Sequence, residues 1–200
     1  MEIYKYKTVV KPSEGLYREK GSKFISLLEH VESEQECMDF LHRVKKEYHD
    51  ARHHCYAYRI DPENEMYRSQ DDGEPSGSAG KPILNQVLSY ELYNVMIIVV
   101  RYFGGTKLGV SGLINAYKTS TREAIDSARI VVRHLTRLYE LRFDYPRMND
   151  VMRVIKEEKL KIMDQDFSLS CFIKIEIKKN QLEKIILRIE NLRDVEMKSL

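Results

Sequence analysis

The spacing of apolar residues divides the first part of the chain into a strand, a helix and a second strand. KFISLLEHV (23–31) and CYAYRI (55–60) are short apolar and aromatic runs, which are typical of strands. Between them, Ser33 and Glu36 form a capping-box pattern at the start of a helical repeat. The repeat consists of Cys37, Leu41, Val44 and Tyr48. We therefore predict a helix over residues 34–48.

The central section begins with a segment that favours neither helix nor strand. DDGEPSGSAGKP (71–82) contains three glycines, two prolines and two serines, which predicts a loop. NVMIIVVRYF (94–103) then predicts a strand buried on both faces, and GGTKLGVSG (104–112) predicts a turn. A second long helix is expected from Leu113. Its apolar face would contain Leu113, Ile114, Tyr117, Thr121, Ala124, Ile125 and Ala128.

The last third of the chain has a different order of elements. Strands and helices alternate as β-α-β-β-α-β, with helices near 148–158 and 181–191, an order typical of a ferredoxin-like domain. In CFIKIEIKK, Ile173, Ile175 and Ile177 alternate with polar residues and are expected to face the helices. We predict an α+β protein with two domains, residues 1–135 and 136–200.

Composition narrows the class of protein. With 42% hydrophobic and 32% charged residues, the chain can bury a core. It has no apolar stretch near the roughly 18 residues that a membrane span requires, and no signal-peptide pattern, so we expect a cytoplasmic protein without membrane contact. The three cysteines form no CxxC pair, which favours reduced thiols over a metal or redox site.

The charge is unevenly distributed although the net charge is only +2. Between positions 101 and 122 there are four cations and no acidic residue. These cations are Arg101, Lys107, Lys118 and Arg122. The segment predicts a small basic face that could contact phosphates.

The loop at 71–82 is a first candidate site. It combines the acidic residues Asp71, Asp72 and Glu74 with Ser76, Ser78 and Lys81 among glycines. Such a loop could present carboxylates and backbone amides to a cation or to a nucleic acid. The alternative is a solvated connection in which Asp and Ser side chains cap turns.

The turn at 104–112 is a second candidate. Gly104, Gly105 and Lys107 lie between a predicted strand and a helix N-terminus, where free amides favour anions. The segment matches neither GxGxxG nor the P-loop pattern, and its glycines are equally consistent with a close-packed turn. His53 and His54 are adjacent on an extended segment and cannot easily share one metal, so we expect a hydrogen-bonded histidine at the edge of a site and neither a metal nor a cofactor.

Three of these segments together resemble the hallmark motifs of the IMPACT/YigZ family. They are HHCYAYRI (53–60), DDGEPSGSAGKPIL (71–84) and VVRYFGGTKLGVSGLINAY (99–117), and SKFIS (22–26) resembles the family's N-terminal motif. The chain departs from the family pattern at Ser111 and Asn115, where glycine and arginine are expected, and at His54 within an HNC pattern. The loss of an arginine weakens the basic face.

The resemblance implies a fold for each domain. The first would be similar to the second domain of a small-subunit ribosomal protein, and the second to the last domain of the translocation elongation factor. Eukaryotic relatives are linked to control of translation initiation through an additional N-terminal domain that this sequence does not show. Their partner interaction is therefore not transferred to this chain.

Three functions follow from these features. The leading hypothesis is a noncatalytic, translation-associated regulator that binds RNA or the ribosome, with the basic face on phosphates and Tyr56 or Tyr102 available for base stacking. The second is an enzyme for a small phosphorylated or nucleotide-like substrate, with Asp72 or Glu74 activating water or holding a cation. The third is a scaffold whose second domain offers a sheet face or edge to a protein partner.

Overall fold

The structure, a computed structural model, describes residues 3–168 and 171–200. The chain forms two compact units, each a mixture of helices and antiparallel sheet. The first unit is Tyr6–Arg133, and the second is His134–Leu200 together with the N-terminal residues up to Lys5. The α+β class with two domains is thus confirmed. Within the described residues, no helix has the length and apolar character that crossing a membrane would require.

The first unit is built on a five-stranded antiparallel sheet with the strand order β2-β3-β6-β4-β5. A separate two-stranded sheet pairs β1 with β7. The elements are β1 (Lys5–Val9), β2 (Ser13–Glu19), β3 (Ser22–His30), α1 (Glu34–Glu47), β4 (His53–Ile60), β5 (Met66–Gln70), α2 (Gly80–Ser89), β6 (Val95–Tyr102), α3 (Gly109–Ser127) and β7 (Ile130–His134).

Helices cover the five-stranded sheet on both faces. Because side chains alternate along a strand, β6 sends Ile97 and Val99 into a core with α2 and α3, and Met96 and Ile98 into a core with α1. All four side chains are fully buried. This arrangement explains why the β6 sequence is continuously apolar, and it confirms the prediction of a strand buried on both faces.

The elements before the loop agree with the sequence predictions. Helix α1 begins after Ser33, whose Oγ accepts a hydrogen bond of 3.2 Å from the Glu36 amide. Strands β3 and β4 overlap the predicted strands. Strands β1, β2, β5 and β7 were not predicted, because they are short and carry many polar or exposed residues.

Two boundaries near the site differ from prediction. The loop ends at Ala79, because helix α2 begins at Gly80 and was missed; Pro82 lies in its first turn, where a missing N–H breaks no helical bond. Helix α3 begins at Gly109, four residues before the predicted start. Ile114 is 39% exposed, so its predicted place on the buried face is wrong.

The second unit has the ferredoxin-like arrangement. Its elements are β8 (Thr136–Phe143), α4 (Met148–Glu157), β9 (Lys161–Asp166), β10 (Cys171–Lys178), α5 (Leu182–Glu190) and β11 (Val195–Ser199). The sheet order is β11-β8-β10-β9, with all pairs antiparallel. Ile173, Ile175 and Ile177 are fully buried in one cluster with apolar residues of α4 and α5, as predicted.

Strand β2 packs so closely on α3 that only glycine fits at position 15. A Cβ atom there would lie 2.4 Å from the Ala124 nitrogen and 2.6 Å from the Ser120 carbonyl oxygen. We expect Gly15→Ala to lower the free energy of unfolding by about 1–3 kcal/mol, the usual cost of overpacking. Urea denaturation measures this change.

The matched control is Arg18→Ala on the same strand, where the side chain is exposed. It should change the free energy of unfolding by no more than about 0.5 kcal/mol. Equal effects of the two substitutions would contradict close β2–α3 packing as the reason for glycine.

Candidate functional site

A cleft of about 410 Å³ opens in the first unit between the loop at 71–79 and the turn that follows β6. Its polar lining is Arg52, His53, Glu74, Arg101 and Lys107. Its apolar lining includes Pro75, Phe103, Leu108, Val110 and Leu113. The fold therefore brings four of the predicted site residues, His53, Glu74, Arg101 and Lys107, to one concave surface.

The carboxylate of Asp71 holds the loop in shape. It accepts hydrogen bonds from the backbone nitrogens of Gly77 (2.8 Å), Ala79 (3.0 Å) and Gly80 (2.8 Å). The last of these amides belongs to the first turn of α2, where a negative charge is favourable. Ser78 also closes a turn, since its hydroxyl donates to the Pro75 carbonyl at 2.6 Å. Asp71 and Ser78 therefore have structural roles.

Asp72 ties the loop to the start of β4. Its Oδ2 accepts a hydrogen bond of 2.7 Å from the His54 amide, and its carbonyl oxygen lies 2.9 Å from His53 Nδ1. His54 is buried, and its Nε2 lies 3.1 Å from the Tyr48 carbonyl. Burial lowers the pKa of His54, which keeps the ring neutral near pH 7. His53 stands at the edge of the cleft, and His54 belongs to the interior.

A buried ion pair forms the floor of the cleft. Arg101 on β6 donates from Nη1 to Glu74 Oε1 at 2.6 Å, and the two side chains are only 7% and 3% exposed. Tyr117 on α3 donates to the same carboxylate oxygen at 2.8 Å. Cys55 Sγ lies 3.2 Å from the Tyr117 hydroxyl oxygen. The network thus joins the loop, β4, β6 and α3.

Burial fixes the protonation of this network. Burial is the main cause of the raised pKa of Tyr117 and of Cys55, and the nearby Glu74 carboxylate raises both further. Both groups therefore remain protonated and neutral at physiological pH. The Tyr117 hydroxyl can then donate to Glu74, and the Cys55 thiol is not a reactive thiolate.

Two aromatic rings flank the Arg101 guanidinium. Its Cζ lies 5.5 Å from the centre of the buried Phe24 ring and 5.6 Å from that of Phe103, whose side chain is 55% exposed. Both distances are within the range of cation–π attraction. Arg101 Nε is buried and has no hydrogen-bond partner among the described residues. Arg101 is therefore buried and paired with Glu74, and it is not the exposed cation that the basic segment suggested.

The turn after β6 crosses the β2–β3 hairpin at close range. A Cβ atom on Gly104 would lie 1.9 Å from the Gly21 carbonyl carbon, so a side chain cannot be accommodated. The Gly104 amide donates to Ser22 Oγ at 3.1 Å. Gly105 is exposed with a φ of 88°, and Lys107 is exposed beside it. The turn leads into α3, whose N-cap residue, Leu108, provides no side-chain cap.

The remaining cations of the predicted face lie elsewhere on the first unit. Lys81 and Lys118 line a second concavity of about 470 Å³ between α2 and α3. Arg122 is exposed one helical turn beyond Lys118, and Ser76 is exposed on the loop. The predicted basic face is thus divided between the cleft and the α2–α3 groove.

Neither tyrosine proposed for base stacking is among the residues that line the cleft. Tyr56 is 6% exposed in the core beneath α1, so that prediction is wrong. Tyr102 follows Arg101 on β6 and points to the α1 side of the sheet, where its hydroxyl donates to Asp50 at 2.7 Å. This hydrogen bond raises the pKa of Tyr102 to about 12.

Three residues of the site were absent from the predicted set. Phe103 supplies the exposed aromatic ring, Arg52 an exposed cation, and Tyr117 a hydrogen bond to Glu74. The position of Phe103 directly before two glycines could have indicated it, because a residue beyond the strand end is less covered. The role of Tyr117 has no signal in the sequence, since it depends on packing between distant segments.

Comparisons with known proteins agree with the resemblance noted in the sequence. The Impact N-terminal domain matches residues 20–125, a span that contains every residue lining the cleft. The IMPACT family member YvyE of Bacillus subtilis is 34% identical over 166 residues, which cover 83% of this chain and 76% of that protein. This chain belongs to the IMPACT family.

A second bacterial member matches a similar share of the chain. The IMPACT family member YigZ of Escherichia coli is 31% identical over 160 residues, covering 78% of each protein. A crystal structure described as that of a hypothetical protein matches the full chain and 98% of its own length, with a TM-score of 0.74 and 24% identity. This structural likeness supports the fold.

The described residues offer no metal centre of the usual kind. None of their His, Cys, Asp and Glu side chains forms a group of three or more that could hold a metal ion. The nearest carboxylates to the cleft, Asp71, Asp72 and Glu74, each have the protein partners described above. What the cleft offers a ligand is positive charge, backbone amides and an apolar wall.

The ion pair on the cleft floor predicts a strong coupling in stability. Glu74→Ala leaves the Arg101 charge buried without its partner, so we expect a loss of about 3–5 kcal/mol in the free energy of unfolding. Replacing both residues by methionine removes both charges. The double variant should lose much less free energy of unfolding than the sum of the losses in Glu74→Met and Arg101→Met. Urea denaturation of the single and double variants measures the coupling; additive effects would contradict it.

Proposed function

We propose that this IMPACT family member is a noncatalytic, translation-associated protein that binds RNA, including ribosomal RNA, through the cleft of its first unit. The observation that carries the proposal is the distribution of partners around the cleft. The Glu74 carboxylate in the cleft is paired with Arg101 inside the protein. The exposed groups, Arg52, Lys107 and Phe103, remain available to a ligand. Such a surface complements phosphates and unstacked bases.

The cations suit phosphate contacts. Arg52 and Lys107 are exposed at the cleft, and neither has a hydrogen bond or ion pair within the described part of the chain. Lys81, Lys118 and Arg122 extend the positive charge along α2 and α3. Phe103, 55% exposed, takes the stacking role first assigned to the tyrosines. Charge and an aromatic platform together are the usual elements of single-strand binding.

The carboxylates do not support the enzyme hypothesis. Asp71 accepts three backbone hydrogen bonds, Asp72 accepts one from His54, and Glu74 is bound to Arg101 and Tyr117. A general base needs a carboxylate that can reach a substrate proton, and a metal site needs free ligands. These three groups are instead used to hold the loop.

Family membership supports the connection with translation. Eukaryotic relatives, according to the sequence resemblance, are linked to control of translation initiation. A cytoplasmic location, where ribosomes are found, is part of the proposal. The scaffold hypothesis has less support: on the outer sheet face of the second unit, Lys174 pairs with Asp164 at 2.8 Å and Arg142 with Glu140 at 2.6 Å.

Binding through phosphate contacts should depend steeply on salt. We expect the full chain to cosediment with ribosomes or ribosomal RNA at about 50 mM salt and to lose most binding near 200 mM, because counterions are released on binding. Lys107→Ala should weaken binding to many RNA sequences and reduce the slope of log K against log salt by about 1. Quantitative cosedimentation across this salt range measures both effects.

Lys11→Ala is the matched control. Lys11 is exposed near the C-terminal end of α3, because the adjacent Val10 amide bonds to the Arg129 carbonyl. The 19-residue helix places this end roughly 27 Å from the cleft. The control should bind like the unaltered chain. Binding that ignores salt, or that responds equally to both substitutions, would contradict the proposal.

A further inference from the structure

The shape of the cleft suggests a narrower ligand than an RNA surface. A volume of about 410 Å³ lies within the range of small-molecule sites, roughly 300–1,000 Å³. Phosphates on a duplex backbone lie on a convex surface and would contact the rim. A concave site with an apolar wall is better matched to one nucleotide that enters it without a pairing partner.

One end of the cleft is built for an anion. Lys107, Leu108, Gly109 and Val110 line it, so the first turn of α3 faces the cavity. Amides in the first helical turn have no partner within the helix, and Leu108 at the N-cap has no side-chain hydrogen bond to offer them. The helix dipole and the Lys107 ammonium group both favour a negative charge here.

A second observation points independently to a ligand. Arg101 lines the same cleft, its side chain is only 7% exposed, and its Nε has no hydrogen-bond partner among the described residues. Buried polar groups in native proteins are nearly always paired, so an unpaired donor on a residue that lines the cavity is consistent with a ligand that supplies an acceptor. A phosphate or ribose oxygen in the cleft would provide one.

Phe103 provides a surface against which the base of a nucleotide can stack. Its ring is exposed, lines the cleft and lies over the Arg101 guanidinium. Pro75, Val110 and Leu113 complete an apolar wall. Glu74 is the one acidic residue among those lining the cleft, and it is neutralised by Arg101, so repulsion of a phosphate is small.

We propose that the cleft is a pocket for a single unpaired nucleotide. Its phosphate lies at the N-terminus of α3 beside Lys107, and its base lies against Phe103. This inference rests on the proposed RNA-binding function and specifies the part of the RNA that the site takes. It predicts a preference for single-stranded RNA over duplex, since a paired base cannot enter the cleft.

The test uses the full chain and three small probes. Adenosine 5′-monophosphate, adenosine and inorganic phosphate are titrated by calorimetry into the unaltered chain and into Phe103→Ala and Lys107→Ala. We expect the mononucleotide to bind and to exceed both partial probes in affinity. Phe103→Ala should weaken the mononucleotide about fivefold or more without changing phosphate binding. Lys107→Ala should weaken both the mononucleotide and phosphate.

Matched controls separate the pocket from general surface effects. Tyr67→Ala removes an aromatic ring that is 59% exposed on β5, outside the cleft, and Lys11→Ala removes a distant cation. Neither should change mononucleotide binding. All four side chains are exposed, so the variants are expected to fold, and circular dichroism checks this.

Three outcomes would overturn the nucleotide pocket. The first is that the mononucleotide does not bind at concentrations up to roughly 1 mM. The second is that its affinity is no higher than that of inorganic phosphate. The third is that Phe103→Ala and Tyr67→Ala change mononucleotide binding equally. Cosedimentation of the same protein with ribosomal RNA distinguishes the two proposals. If RNA binding is salt-dependent and sensitive to Lys107→Ala while the mononucleotide fails to bind, only the pocket is wrong. If both fail, the RNA-binding function is wrong as well.

Discussion

The ion pair between Glu74 and Arg101 determines how the rest of the site is arranged. Both charges are removed from water, which is costly unless they are paired closely and supported by further hydrogen bonds. Tyr117 supplies one such bond to the carboxylate, and Phe24 and Phe103 flank the guanidinium. A loop, the central strand of the sheet and the long helix α3 are therefore held in one relative position.

This constraint explains the unusual content of the loop. A loop that presents Glu74 to a buried arginine must have a fixed path, and Asp71 and Asp72 provide it by accepting backbone hydrogen bonds on both sides. Its acidic residues are thus directed inward to the protein. The side of the cleft that a ligand meets is left with cations, so a nearly neutral chain presents a locally positive site.

The sequence predicted those parts of the fold that depend on local patterns. Alternation and helical spacing identified β3, β6 and α1, and the order of elements identified the ferredoxin-like second unit. Helix α2 was missed because Gly80 and Pro82 at its start have the composition of a loop, although proline is tolerated in a first turn. Strand β5 is short and mostly exposed, so it has no hydrophobic pattern to detect.

The sequence identified the segments that form the site more accurately than the individual residues that face the cleft. The acidic loop and the glycine-rich turn do form one cleft, but charge in a sequence does not show whether a group faces water or a partner. Arg101 and Lys107 are both cations of the same basic segment in the sequence. In the structure Arg101 is buried against Glu74, whereas Lys107 is exposed. Likewise, Tyr56, Tyr102 and Phe103 are all aromatic, and only the strand register and strand end determine which is exposed.

The small number of exposed groups in the cleft limits the kind of ligand that the site can recognise. Because the net charge is only +2, long-range attraction to a polyanion is weak, and affinity must come from groups that meet at short range. Within the cleft the exposed groups of this kind are one lysine, one arginine (Arg52), helix amides and one ring. Few phosphate contacts with a stacking surface favour recognition of local RNA shape and unpaired bases over general attachment to RNA. That selectivity agrees with the proposed role of this chain as a translation-associated RNA-binding protein.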